Sequence, residues 1–278
     1  MGQHRGILFI YRIIMKKSLI LFLMAFGMIY SSYAGNNEAK SEKFEQWGTH
    51  NKYGVQLRVN AGYAIGGTSP IPLPAEIRKI NKFKPYGGVN IGVEASKMFG
   101  TSQRWGVATG VHTFLHGMKT GADVKGYKMA ITMDQDEMAG YFTGVDETNV
   151  RLVGISLPVK AVWRANHRWT IEAGGFLQLF KKREFEGSVY DGYLRENTPV
   201  GQKIDITKDN PATYDFSDDM RDVDYGLTFT FDWKAPRHWS LYGNLDWGMT
   251  DVFKSDFETI QFNMYSIYAN FGVAYSIF

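Results

Sequence analysis

Val223-Asp224-Tyr225-Gly226-Leu227-Thr228-Phe229-Thr230-Phe231-Asp232-Trp233 carries an apolar side chain at every odd position and a small or polar one at every even position. Successive side chains of a β-strand point to opposite faces. A strict period of two therefore marks a strand with one face against something oily and the other against something wet or crowded. The same alternation recurs between Tyr53 and Phe278, near residues 53–65, 87–99, 105–118, 150–163, 169–182, 239–252 and 265–278. Together with 223–233 these predict about eight strands.

Periodicity alone does not say which face is wet, since a soluble sandwich turns its polar face outward and a membrane barrel turns it inward. The flanks of the strands decide. Residues 100–104, 164–168 and 234–238 read as tight turns, whereas 66–86, 119–149, 183–222 and 253–264 read as long loops. Short turns on one side and long loops on the other are the outer-membrane arrangement. Trp105, Trp163, Trp169, Trp233 and Trp239, five of the seven tryptophans, lie beside the tight turns. Indoles prefer the headgroup level, so these five predict a periplasmic aromatic girdle. The fold expected is all-β: an antiparallel, up-and-down transmembrane β-barrel occupying residues 53–278.

The first 34 residues hold Arg5, Arg12, Lys16 and Lys17, no acid, and an apolar run from Leu19 to Tyr30 ahead of Ser32-Tyr33-Ala34. That run is too short to span a bilayer as a helix, and Ser-Tyr-Ala matches a small-x-Ala cleavage site. Residues 1–34 thus read as a Sec signal peptide. Met15-Lys16-Lys17 is the more typical leader start, which leaves 1–14 as a candidate over-long beginning. Residues 35–52 then form an N-terminal segment in the periplasm. Of the chain's 31 basic and 28 acidic residues, the four leader cations are lost on cleavage, leaving 27 against 28, so the net charge moves from +3 to −1. No basic run with interleaved aromatics remains, and nucleic-acid binding is excluded. The absence of cysteine excludes disulfides, thiolate metal sites and a lipidated anchor.

Inward positions collect Arg58, Glu94, Lys160, Arg164, Glu172, Asp232 and Asp246, with Asp224 and several amides between them. An eight-stranded barrel has a lumen just wide enough for side chains, and buried charges persist when paired. This set predicts a polar network that fills the barrel. His112 and His116 share the inward face, but about 13 Å of strand separates them, too far for easy chelation. The acidic stretches Asp134-Gln135-Asp136-Glu137 and Asp215–Asp224 lack the spacing of a calcium loop and read as solvated loop charge. Pro70, Pro72, Pro74 and Pro85 predict an extended excursion over 66–86 that breaks the strand ladder. Neither a catalytic motif, a cofactor motif nor a metal site is expected. Tyr127–Met133 has enough β-forming character to carry strand 3 beyond the membrane.

Five pieces, taken together, resemble the PorT-like outer-membrane β-barrel proteins of Bacteroidetes, small barrels of the OmpX/OmpA-like architecture. They are Tyr53-Gly54-Val55 through Gly62, Ile155-Ser156-Leu157-Pro158-Val159-Lys160, Ile171-Glu172-Ala173-Gly174-Gly175-Phe176, Asp224-Tyr225-Gly226-Leu227 and Phe271-Gly272-Val273-Ala274-Tyr275. Pro158 and Lys160 match the proline and following basic residue usual in the family's fourth strand. One departure stands out: Phe271, Val273 and Tyr275 are out of phase with the final Phe278, so a bulge near Ser276 or Ile277, or a last residue past the barrel, is expected. The resemblance implies an outer-membrane location and a non-enzymatic structural or accessory role in an envelope assembly. Its partners would be outer-membrane lipid and envelope proteins met through the extracellular loops or residues 35–52. A narrow channel or small-ligand-binding barrel, and a lipid-modifying enzyme using His116, are the alternatives.

Overall fold

The computed structural model describes residues 55–100, 103–134 and 136–277. Ten strands form one antiparallel sheet: β1 (Val55–Pro70), β2 (Ile77–Phe99), β3 (Trp105–Met133), β4 (Asp136–Arg164), β5 (Trp169–Glu196), β6 (Lys203–Ile206), β7 (Ala212–Asp215), β8 (Val223–Lys234), β9 (Trp239–Gly248) and β10 (Met264–Ser276). Eight of them follow one another around a ring, β2-β1-β10-β9-β8-β5-β4-β3, which the β2–β3 pairing closes. Up to Tyr63 and Val89 the closed ring leaves no free edge for another chain to pair with. The expected leader and the segment 35–52 fall outside the described residues.

The tight turns lie where the sequence places them, joining β2 to β3, β4 to β5 and β8 to β9. In the second of these, the Asn166 side-chain oxygen accepts hydrogen bonds from the amides of Arg168 (2.8 Å) and Trp169 (2.9 Å), a local device that reverses the chain in few residues. The five turn-flanking tryptophans gather at this end. Trp105 pairs with Trp163 and their rings stack at 6.1 Å, Trp169 pairs with Trp233, and Trp239 meets Tyr275 edge-on at 5.0 Å.

The opposite end departs from the loops read there and follows the strand-like character of Tyr127–Met133. The stretch 119–149 is not a loop but a continuation of β3 and β4, which run for 29 residues each and pair as far as Met133 and Asp136. β5 likewise continues to Glu196, whereas β9 stops at Gly248 rather than 252. At about 3.3 Å per residue and a tilt near 40°, β3 rises roughly 70 Å, far beyond the apolar band of a bilayer. Pro85 lies inside β2, opposite Met118, and not in an excursion. The site is tolerable because the outer half of β2 pairs only with β3, so its other edge needs no amide donor. β10 ends at Ser276, and Phe278 lies outside the described residues.

β-bulges explain why alternation did not reveal these extensions. Even-numbered residues of β3 point inward up to Val124; the ladder then slips around Lys125 and Gly126, whose φ is +64°, and odd-numbered Tyr127, Met129 and Ile131 point inward. In β5 an irregularity near Lys181 moves the buried set from Phe176 and Gln178 to Phe185 and Val189. An inserted residue reverses the face of every side chain after it. Above the ring the extended β3, β4 and β5 form a cap with β6, β7 and residues 249–263. Its interior is apolar: Phe142, Leu194, Ile206, Met129, Phe216 and Phe253 belong to one buried cluster.

Candidate functional site

The lumen is organised around Arg58. Its guanidinium lies 3.1 Å from Glu94, 2.8 Å from Glu172 and 3.0 Å from Asp232. Lys160 completes the group, its ammonium 2.6 Å from Glu94 and 2.5 Å from Glu172. Arg58 and Glu94 are direct partners across β1 and β2, whereas Lys160, Glu172 and Asp232 reach in from β4, β5 and β8. The cluster thus braces the barrel from wall to wall. Gly92 makes the crowding possible: a Cβ there would lie 2.3 Å from the His112 ring. His112 in turn stands 3.6 Å from Glu94.

Two of the inward set stand apart. Arg164 donates to the Gln56 side chain at 3.0 Å near the tight-turn end of the barrel. Asp246 accepts from Asn270 at 3.1 Å, in an amide ladder where Asn270 also donates to Asn244 at 2.8 Å and Asn244 to Thr228 at 2.7 Å. The voids beside the charge cluster measure about 40 and 20 Å³, room for a water or two. Above this zone His116 stacks on Tyr268 at 3.9 Å and on Phe114 at 4.7 Å, an aromatic layer between the polar lumen and the apolar cap. His112 and His116 therefore sit in different surroundings. No group of three metal-ligating side chains occurs among the described residues.

The cap contains a feature outside the inward set read from sequence. A cavity of about 340 Å³ lies among Met118, Tyr127, Phe185, Phe216, Ile260 and Met264, and it holds one buried carboxyl, Asp146. Tyr214 donates to Asp146 at 2.8 Å and stands 2.8 Å from the Thr148 hydroxyl. Burial pushes the Asp146 carboxyl up to about 6, against the opposing pull of the Tyr214 hydrogen bond. Burial, followed by the Asp146 charge, raises the Tyr214 phenol well above its ordinary range. The available sequence signal was short: Ala212, Tyr214 and Phe216 alternate as a strand does, but over too few residues to stand out inside a polar 40-residue connection.

The model of the outer membrane protein beta-barrel domain family matches residues 24–254. The chain belongs to that family. Solved structures are similar to the chain at very low identity. Ail, the attachment invasion locus protein of Yersinia pestis, is 9% identical over 80% of this chain and 97% of its own, with a TM-score of 0.32. The translocator domain of the autotransporter NalP from Neisseria meningitidis is 13% identical over 82% of this chain and 90% of its own, with a TM-score of 0.22. No curated protein matches the chain. As a member of the outer membrane protein beta-barrel domain family it resides in the bacterial outer membrane. The outward belt agrees: Val223, Tyr225, Leu227, Phe229 and Phe231 are all exposed on β8, a solvent-facing row that only lipid makes favourable.

Proposed function

We propose that this protein is a non-enzymatic barrel of the PorT-like kind, which anchors a folded extracellular cap in the outer membrane and serves as a structural or accessory subunit of an envelope assembly. The wall-to-wall cluster of Arg58, Glu94, Lys160, Glu172 and Asp232 carries the reading, because it fills the lumen at the point where an ion or solute would pass. Such a core makes the barrel a rigid post. The cap, built from the longest strands in the molecule, is then the surface through which partners are met, with residues 35–52 available on the periplasmic side. The PorT-like assignment rests on the Pro158 and Lys160 pair and on the glycine-rich pieces of β5 and β8.

Purification of the tagged full chain from its native membrane in mild detergent, with quantitative mass spectrometry of what accompanies it, tests the role. A partner at fixed stoichiometry is expected. Recovery as a lone barrel, together with steady single-channel conductance in a planar bilayer that changes in Lys160→Ala, would replace the anchor reading with a channel.

A further inference from the structure

The ring is complete at its base but open at one side of its top. β1 and β2 pair from Val55–Lys97 up to Tyr63–Val89 and no further. Above that point β1 continues along β10 to Pro70, while β2 continues along β3. The Gly87-Gly88 step, with Gly87 at φ +63° and a ladder slip between Tyr86 and Val89, turns β2 away from its neighbour. No ladder bonds join the two strands above this point, and the Phe83 ring reaches across the gap to within 3.4 Å of where a Gly67 Cβ would stand. Leu73, Ile80 and Phe83 rim the gap, and each both lines the 340 Å³ cavity and faces outward. The lower lip, at Gly67, lies beside Ile267, whose partner on β9 is the exposed Trp247. Trp247 lies roughly 20–25 Å up the barrel from Trp239, about the height of an outer-membrane apolar band. The gap therefore opens at the level of the outer leaflet's headgroups.

We propose that this cavity is a binding site for a small, mostly apolar molecule bearing one hydrogen-bond donor, a hydroxyl or an amine, which enters sideways from the outer leaflet through the gap between β1 and β2. The site is of ligand-pocket size, with apolar walls and a single polar focus. Among the described residues Asp146 receives one hydrogen bond, from Tyr214, so its second oxygen is available to a donor on the guest. Tyr214 and Thr148 fix the carboxyl's position. Nothing in the lining offers a cation to pair with an anionic guest. An alcohol or amine is accepted over the corresponding carboxylate, and the apolar rim suits a guest already dissolved in lipid. This site is independent of the anchor reading and of whichever partner the cap meets.

The full chain in amphipol, titrated with N-phenyl-1-naphthylamine and followed by probe fluorescence, tests the site. That probe is aromatic hydrocarbon throughout except for one N–H donor. Saturable one-to-one binding is expected, displaced by 1-nonanol and not by nonanoate at pH 8. Ala122→Trp, which fills the cavity from β3, should abolish it, and Asp146→Leu should weaken it about tenfold or more. Heat-dependent gel migration together with wild-type protease resistance within 119–149 confirms that ring and cap of each variant are folded. Because the chain has no cysteine, Phe83→Cys carrying a bulky maleimide should slow probe entry several-fold without changing the final amplitude. Absence of saturable binding by folded wild type, or binding undiminished in folded Ala122→Trp, overturns the site. Undiminished affinity in Asp146→Leu overturns the donor assignment, and unchanged entry in labelled Phe83→Cys overturns the sideways route.

Discussion

The molecule is built inside-out below and right-side-out above. In the membrane ring Glu94, Lys160 and Glu172 are buried while Phe229 and Phe231 face outward; in the cap Phe142 and Leu194 are buried while Lys203 and Asp205 face outward. The same strands do both, since β3, β4 and β5 run without interruption from one regime to the other. Neither arrangement follows from strand formation itself. The surrounding medium decides: lipid rewards an apolar exterior and leaves polar groups to satisfy one another inside, whereas water rewards burial of the apolar face.

The sharpest way to break this comparison is to remove the central group of each interior. Arg58→Met leaves Glu94 and Glu172 to Lys160 alone and removes the guanidinium from Asp232, and is expected to destabilise the folded barrel by about 3–5 kcal/mol, as loss of one partner of a buried ion pair does. Urea titration in lipid vesicles, followed by tryptophan fluorescence, would show it across the whole ring. Phe142→Ala is expected to cost a similar 3–5 kcal/mol, but in the cap. Protease cleavage within 119–149 should accelerate while heat-dependent gel migration of the ring persists. A mutant that loosened both regions equally would show the two interiors to be one cooperative unit.

Swapping the exterior comes next. Phe229→Arg, in the middle of the β8 row, should cost about 2–4 kcal/mol, the penalty for arginine near the bilayer midplane. The same change at Val200, 88% exposed in the cap, should stay within about 0.5 kcal/mol. Equal effects in vesicle-refolding titrations would place Val200 against lipid, or Phe229 away from it.

The two media also set how much could be read in advance. Bilayer and lumen impose one uninterrupted alternation on the ring, so the eight strands, the tight turns and the inward positions of Arg58, Glu94, Lys160, Glu172 and Asp232 were legible. Which of these would touch was not, because the contact from Arg58 to Asp232 joins strands far apart in sequence and depends on ring closure and shear. Arg164 and Asp246 show the same limit, as they share the inward face without joining the cluster. In the cap, Gly126, Lys181 and Asp191 each interrupt the period, and no lipid face exists to keep it strict. Asp146 was therefore hidden although Tyr127–Met133 looked strand-like.

Asp146 gives a smaller and more specific test of the cap's interior. Its carboxyl sits at about 6 in the folded protein against an ordinary 3.8, so the folded state holds the proton more tightly than the unfolded chain. Stability therefore falls as pH rises from about 4 to 6 and is lowest above that window, by roughly 3 kcal/mol at most. Tyr127, Tyr214 and Glu147 stand around the group and stay in one charge state across that range or lie toward the surface. Protease resistance of the cap should decline from pH 4.5 to 7. Asp146→Asn should flatten the decline, and an unchanged slope in that variant would assign it to another carboxylate.

The smallest expected effect isolates the role of the medium most cleanly. Lys160–Glu94 in the lumen and Lys203–Asp205 on the cap both have an ammonium 2.6 Å from a carboxylate. Geometry is matched, yet the first pair is almost wholly buried and the second is 45% and 67% exposed. Water already solvates Lys203 and Asp205 when they part, and holding two long side chains together costs rotamer freedom, so Lys203→Ala should shift stability by less than about 1 kcal/mol. Lys160→Ala instead strands Glu94 and Glu172 around a single guanidinium, where little solvent can replace the lost ammonium. A double-mutant cycle on each pair would measure the two couplings separately from the cost of truncation. Equal couplings would mean that distance alone sets the strength of these ion pairs; a clear excess in the lumen would assign the difference to the loss of water, the same exchange that turns the barrel inside-out.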